Sequence, residues 1–238
     1  MFGNWFSCRE LFEIFSLYQP FLTPKLINRQ PAKPFSNSIP HLCKAMISIQ
    51  VDNEVEVRQL TPKDAQPLYK LVEANRSFLG EWMPWVAETK SAVDTGNFIQ
   101  RETDRYIEGK AIAGGIWYNG ELCGTCGFNR IDSNHLQTEI GYWLNEPLQG
   151  RGIVSRACQG LINFGFQTFK ILRVEIRCLE GNFRSQAIAE RLGFKLEGVL
   201  RNAEIRHDGI PHNLLIFGLL REEWRVQIWR RTEEDSIT

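Results

Sequence analysis

The stretch Glu139-Ile-Gly-Tyr-Trp143-Leu144-Asn-Glu-Pro-Leu-Gln149-Gly150-Arg151-Gly152-Ile153 decides how this chain is read. Thr138–Leu144 reads as a strand that runs into a glycine-bearing loop, and the loop opens a long helix. The first amides of a helix have no partner within it, and the helix dipole adds partial positive charge at that end. Gly150 and Gly152 let the backbone come close to an anion, and Arg151 adds a cation. The combination is a phosphate cradle. It is not a Walker loop, because no Gly-Lys-Ser/Thr follows, and the glycine spacing is not that of the dinucleotide fingerprint. An ordinary strand–helix turn is the alternative at this point.

Working outward, Ile153–Phe169 has helical periodicity, with Ile153, Ala157 and Leu161 on one stripe and Val154, Cys158 and Ile162 beside it. Arg173–Leu179 alternates as a strand. Asn182–Leu192 reads as a helix closed by Gly193, and two strands flank the Asp208-Gly209 turn. A helical segment over Arg221–Arg231 and a polar tail at 232–238 follow. Upstream, Asn119-Gly120 joins strands at 110–118 and 121–130 as a hairpin. Ala92–Glu108 reads as a helix, and Trp82-Met83-Pro84-Trp85 as a loop with apolar anchors. Thr61-Pro62-Lys63-Asp64 is a helix start that leads into Leu68, Leu71 and Val72, after a first strand around Val55, Val57 and Leu60. The order βααβββαβαββ predicts an α/β fold with a sheet of mixed direction.

Residues 1–45 differ from this pattern. They hold five Lys/Arg against two acids, and Pro20, Pro24, Pro31, Pro34 and Pro40 interrupt any long element, with room for a short helix around Glu10–Tyr18. They read as a poorly ordered extension, a start codon placed ahead of Met46, or, less in keeping with their scarcity of Arg and Ser, a targeting segment. The chain of 238 residues is 43% hydrophobic with a formal net charge of zero, so nothing in the total argues for a nucleic-acid or membrane partner. Six cysteines are too scattered for a disulfide framework and read as reduced thiols of a cytoplasmic protein. Cys123-Gly-Thr-Cys126 suggests a metal or redox pair, but positions three apart on a strand point to opposite faces and no second pair exists, so no metal is expected.

The loop resembles the Gln/Arg-x-x-Gly-x-Gly/Ala signature of the GNAT N-acetyltransferase superfamily through Gln149-Gly150-Arg151-Gly152-Ile153-Val154, with Val154 departing at the sixth position. Asn182-Phe-Arg-Ser185-Gln-Ala187-Ile-Ala-Glu190-Arg191-Leu-Gly193-Phe194-Lys-Leu-Glu197-Gly198 and Glu139-Ile-Gly-Tyr-Trp143-Leu are similar to the RimJ/RimL branch, the ribosomal-protein N-terminal acetyltransferases. The resemblance covers about residues 54–224. It implies a mixed, mostly antiparallel sheet with splayed central parallel strands flanked by helices, and an acetyltransferase domain over 46–231. It implies acetyl-CoA as acyl donor, held by Trp143, Leu144, Gln149, Gly150, Arg151, Gly152, Ile153, Val154, Asn182 and Ser185.

Making an amide from a thioester needs a free amine, an oxyanion donor, a base and an acid for the departing thiolate. An N-terminal amine, with a pKa of about 8, is partly free at neutral pH, so one carboxylate suffices. The resemblance puts Glu204 in that role and Ser185 in the acid's; Glu139 is the second candidate base. The oxyanion donor would be a backbone N–H on the 139–144 strand, where the family has a bulge. Each residue also has a plain reading: an ion pair with Arg201 or Arg206 for Glu204, a strand-edge ion pair for Glu139, helix capping for Asn182. His207, His212, Trp82 and Trp85 are candidates for the acceptor wall. The implied acceptor is a protein N-terminus, with a small amine as the alternative enzyme and a non-catalytic acyl-CoA-binding module as the alternative class. A homodimer is left open.

Overall fold

The computed structural model describes residues 46–206 and 209–224. The expectations for residues 1–45, for His207 and Asp208, and for the chain beyond 224 lie outside the described residues.

Eight strands form one sheet: β1 (Ser48–Gln50), β2 (Val55–Gln59), β3 (Ile112–Tyr118), β4 (Glu121–Asp132), β5 (Gln137–Leu144), β6 (Arg173–Leu179), β7 (Lys195–Ile205) and β8 (Pro211–Leu220). Their order is β1-β2-β3-β4-β5-β6-β8-β7, and every neighbouring pair is antiparallel except β5 and β6. The parallel pair is the one joined by a helical crossover, as parallel neighbours require. That crossover contains α4 (Ile153–Thr168). Both stripes read from the sequence, Ile153/Ala157/Leu161 and Val154/Cys158/Ile162, are buried against the sheet. Leu161 and Ile162 have no exposed surface, so truncating either to Ala costs about 2–5 kcal/mol.

The other helices are α1 (Ala65–Ala74), α2 (Arg76–Gly80), α3 (Ala92–Ile107) and α5 (Phe183–Arg191). The Thr61–Asp64 start signal forms a capping arrangement, in which the Asp64 carboxylate accepts from the Thr61 amide (2.8 Å) and hydroxyl (2.7 Å). A 3-10 turn at Pro62–Asp64 leads from it into α1. Helices α1, α2 and α3 and a 3-10 turn at Pro84–Ala87 surround a second apolar cluster: Leu60, Leu68, Val72, Leu79, Val86, Ile99, Trp117 and Trp143. The first and larger cluster contains the buried residues of α4 and α5. At the far end the Trp224 indole donates to Asn163 on α4 (2.6 Å), which docks the last described turn on that helix.

Sequence and structure part at three elements. β1 and α2 are too short to show a period. The expectation that Cys123 and Cys126 point to opposite faces fails for a physical reason: β4 carries an extra residue at Cys123, between Leu122 paired with Trp117 and Gly124 paired with Ile116. A bulge of this kind resets the alternation, and both thiols enter the same core. The Cys123 thiol donates to the Ile116 carbonyl (3.3 Å), and burial pushes it up to about 11. Among the described residues no group of three or more His, Cys, Asp and Glu gathers to hold a metal.

Candidate active site

The site begins where the parallel pair ends. β5 and β6 are in register over only three positions, Gln137 with Arg173, Thr138 with Val174 and Glu139 with Glu175. β5 then continues to Leu144 and β6 to Leu179 without pairing each other. The two strands therefore splay, and between them lie backbone donors and acceptors that no neighbouring strand takes up, which suits a ligand that can hydrogen-bond like a strand. In the β4–β5 pairing the extra residue falls on β4 and not on the 139–144 strand, where the bulge was expected. The extra residue is Asn129 of β4, between Phe128 paired with Ile140 and Arg130 paired with Glu139. Its side chain lies over Gly141, where an added Cβ would come within 2.6 Å of it.

The loop from β5 to α4 is tied down from behind. A 3-10 turn at Glu146–Leu148 follows β5, and the Asn145 amide donates to the Cys123 carbonyl (2.8 Å). Asn75, only 4% exposed at the end of α1, accepts from the Glu146 amide (2.9 Å) and donates to the Leu71 carbonyl (2.8 Å). In front the loop is open. Gly150 (φ 78°) and Gly152 (φ 72°) sit in the left-handed region, and nothing lies within 4 Å of a Cβ built on either. Gly152 caps α4 with no side-chain hydrogen bond and no acid in the first turn. The first helical bond is from Arg156 to the Gly152 carbonyl (3.0 Å), and the amides of Gly150 through Ser155 donate to no other group among the described residues. Helix ends usually have such amides satisfied by caps, water or ligand. Here they lie beside Arg151, which is exposed and forms no ion pair among the described residues, an arrangement able to accept an anion. Val154 is buried, so the departure from the signature falls on the side turned to the core and leaves the amides as they are.

The third part is the start of α5. Asn182 caps it, accepting from the Ser185 amide (3.1 Å). Arg184 donates to Gln149 (2.8 Å), which links α5 to the glycine loop, and its guanidinium lies 5.7 Å from the Phe78 ring centroid. Ser185 points into the structure, where its hydroxyl is 3.0 Å from the Tyr142 hydroxyl on β5; that phenol is also 3.3 Å from the Ser185 carbonyl. Burial pushes the Tyr142 phenol well above its ordinary range, with Cys158, Cys178 and Cys126 adding to the effect and Ser185 opposing it. Burial also raises the Cys178 thiol, and the nearby Ser185 hydroxyl opposes the effect.

The two carboxylates stand differently. Glu139, at the point of the split, accepts from the Asn129 amide group (3.0 Å) and pairs with Arg177 (3.5 Å), as its plain reading foresaw. Glu204 is exposed on the edge strand β7 opposite His212, and neither Arg201 nor Arg206 pairs with it. Arg206 instead reaches across to the Glu81 carbonyl and lies 5.1 Å from the Trp82 ring centroid. The β7–β8 hairpin thus meets the loop after α2. Trp85 is tilted against Trp143 at 6.4 Å. Trp143 and Leu144 themselves are buried, so only their backbone on β5 is in position to meet a cofactor. Sequence reasoning named Ser185 and Asn182 but missed Tyr142, Asn75, Arg184 and Asn129. Of these, Tyr142 and Arg184 stood within quoted motifs, without a role assigned to either.

Comparison with known proteins places the chain. Residues 54–195 match the model of the acetyltransferase (GNAT) domain. The ribosomal-protein-serine acetyltransferase of Escherichia coli is 35% identical over 161 residues, 68% of this chain and 90% of that protein. Among solved structures, RimL, a ribosomal α-N-protein acetyltransferase in complex with coenzyme A, superposes with a TM-score of 0.72 at 29% identity, over 74% of this chain and 99% of that one. The microcin self-immunity acetyltransferase MccE, solved with acetyl-CoA and AMP, gives 0.69 at 34% identity, over 72% and 94%. A family match across more than half of the chain, with relatives covered almost end to end, makes this chain a member of the GNAT family, an N-acetyltransferase that draws its acetyl group from acetyl-CoA.

Proposed function

We propose that the enzyme acetylates the α-amine of a protein N-terminus, with Ser, Thr or Ala as first residue and a ribosomal protein as the acceptor class. The observation that carries the reading is the splayed β5–β6 cleft, with amides at one end and a carboxylate on β7 that have no partner among the described residues. The amides of Gly150–Ser155, with Gln149 and Arg151, hold the pyrophosphate of acetyl-CoA. The freed edge of β5 through Trp143 and Leu144 takes the pantetheine arm, with Asn182 at its side. An N–H of the same strand faces the thioester oxygen as charge builds on it. Glu204 accepts the amine proton directly or through water, the amine attacks the carbonyl, and Ser185 donates its proton as the C–S bond breaks. Glu139 is the poorer base, because Asn129 and Arg177 already occupy its carboxylate.

The acceptor reading rests on chemistry and on the relatives. A lysine amine of pKa about 10.4 is mostly protonated at neutral pH, whereas an α-amine of about 8 needs only one carboxylate. The E. coli relative acts on ribosomal-protein serine, and RimL on a ribosomal α-amine, by their names. A small-amine acceptor is the second reading, favoured by the likeness to MccE, which was solved with a nucleotide beside acetyl-CoA. Initial rates with a Ser-starting peptide, its N-blocked copy carrying an internal lysine, and spermidine separate the two. Faster acetylation of the blocked peptide or of spermidine overturns the α-amine assignment, and no thioester consumption with any amine returns the chain to an acyl-CoA binder.

A further inference from the structure

We infer that Tyr142 is a positioning residue for the acid step, aiming the Ser185 hydroxyl at the leaving thiolate. The inference rests on the proposed role of Ser185 and extends it. Tyr142 comes from β5 and Ser185 from α5, so the 3.0 Å contact between their hydroxyls spans the two sides of the splayed cleft. Two hydrogen arrangements fit. In one, Tyr142 donates to the Ser185 carbonyl (3.3 Å) and Ser185 donates to the phenol oxygen, which engages the serine proton and withholds it from the sulfur. In the other, Tyr142 donates to the serine oxygen, and the serine proton is free to point at the sulfur. A hydroxyl rotor chooses whichever partner suits it. A departing thiolate is the stronger acceptor and selects the second arrangement.

The phenol is then already in place to hydrogen-bond the charge that grows on the serine oxygen. The bookkeeping of the step is closed: the Ser185 O–H bond breaks, an S–H bond forms on the coenzyme, and the Tyr142 O–H stays intact. Ser185 recovers a proton from solvent, to which the carboxylate passes the proton the amine released. Tyr142 cannot itself become the acid without leaving an anion among Cys126, Cys158 and Cys178, where burial opposes charge. The same thiols explain the choice of residue. They leave the phenol few strong alternative partners, so its hydrogen stays committed to Ser185.

The test is a double-mutant cycle on kcat with the full chain, acetyl-CoA and a Ser-starting peptide. Tyr142→Phe removes one oxygen from a pocket that keeps its shape. It is expected to lower kcat about ten-fold to a hundred-fold, within the range of acid–base effects, with KM for acetyl-CoA and the melting temperature near the native values. Ser185→Ala is expected to lower kcat at least as much, and adding Tyr142→Phe to it to cost nothing more. An equal Tyr142→Phe loss in both backgrounds, or no loss in the native one, overturns the positioning role while Ser185 remains the acid. Native kcat in Ser185→Ala overturns the acid assignment and this inference with it. Should Tyr142→Phe raise KM or lose its fold, Ser185→Thr, which keeps the hydroxyl, decides: recovery of at least half the Ser185→Ala loss supports the hydroxyl pair, and no recovery refutes it.

Discussion

Replacing Gly152 with Asp tests the anion cradle, because it acts on fold and on binding through different terms. The residue sits at φ 72° with nothing within 4 Å of an added Cβ, so there is no clash with the protein. The conformational cost of a left-handed non-glycine residue is about 1–2 kcal/mol, toward the lower end for Asp. Against that cost, a carboxylate beside the uncapped start of α4 stabilises the helix by about 0.3–1 kcal/mol through the dipole. The two terms nearly offset, and the melting temperature is expected to move by only a few degrees. Binding has no such offset. A carboxylate about 5 Å from a phosphate oxygen repels it by roughly 0.8 kcal/mol in bulk water and about 3 kcal/mol at an effective dielectric constant near 20. Acetyl-CoA affinity should fall roughly ten-fold to a hundred-fold, about 1.4–2.8 kcal/mol. Calorimetric titration measures it, with Gly152→Ala as the control that carries the strain without the charge. A folded Gly152→Asp enzyme that binds acetyl-CoA as tightly as Gly152→Ala would refute the amide cradle.

Three further outcomes follow from the same geometry. Asn75→Ala strips the Glu146 amide and the Leu71 carbonyl of buried partners and is expected to cost about 1–3 kcal/mol in urea unfolding; a loss below about 0.5 kcal/mol contradicts its role in anchoring the loop. Glu204→Gln should slow turnover at neutral pH and progressively less as pH rises past about 8, where the α-amine deprotonates unaided; a pH-independent deficit excludes Glu204 as base. Burial works against the charge of Glu175, but hydrogen bonds from Arg173 and Arg177 outweigh it and hold its carboxyl below the usual range. A depressed carboxylate contributes stability above its unfolded pKa and loses it as pH falls through the folded one. The Glu175→Gln protein should therefore differ most from the native one above pH of about 4–5 and converge with it in stronger acid; divergence that grows in acid contradicts the assignment.

What the sequence revealed was whatever repeats over several turns or carries a fixed turn chemistry. α4 announced itself by two buried stripes, the β3–β4 hairpin by Asn119-Gly120, and α5 by Asn182 at one end and Gly193 at the other. Arg173–Leu179 has the same bounds in sequence and structure. The failures sit where periodicity cannot speak. A three-residue β1 and a five-residue α2 contain too little pattern. The bulges at Cys123 and Asn129 are decided by how two strands fit, which no single strand records. In the site, motif spacing named Ser185 but not Tyr142, because 43 residues separate the two hydroxyls and only the crossover brings them together. Asn75 was hidden for the same reason, 71 residues from the amide it holds.

The two candidate carboxylates, Glu139 and Glu204, differ in their surroundings. At the point of the split, β5 and β6 bring Glu139 and Glu175 side by side, a like-charge pair that would push the strands apart. Arg177 answers both, at 3.5 Å from Glu139 and 2.9 Å from Glu175, while Arg173 binds Glu175 at 2.9 Å and also takes Glu197. Asn129, extruded by its bulge, satisfies the remaining side of Glu139. The carboxylates of this ladder have their oxygens engaged by arginine and asparagine partners, which suits a strut and not a base. A proton acceptor needs a free lone pair that an incoming ammonium group can reach. Glu204 lies on the edge strand, exposed and without an ion pair among the described residues, which is why the proposed reaction gives it the part of the base. If the ladder is structural, Glu139→Gln should cost stability and leave the pH dependence of turnover unchanged, whereas the reverse pattern would exchange the roles of the two residues.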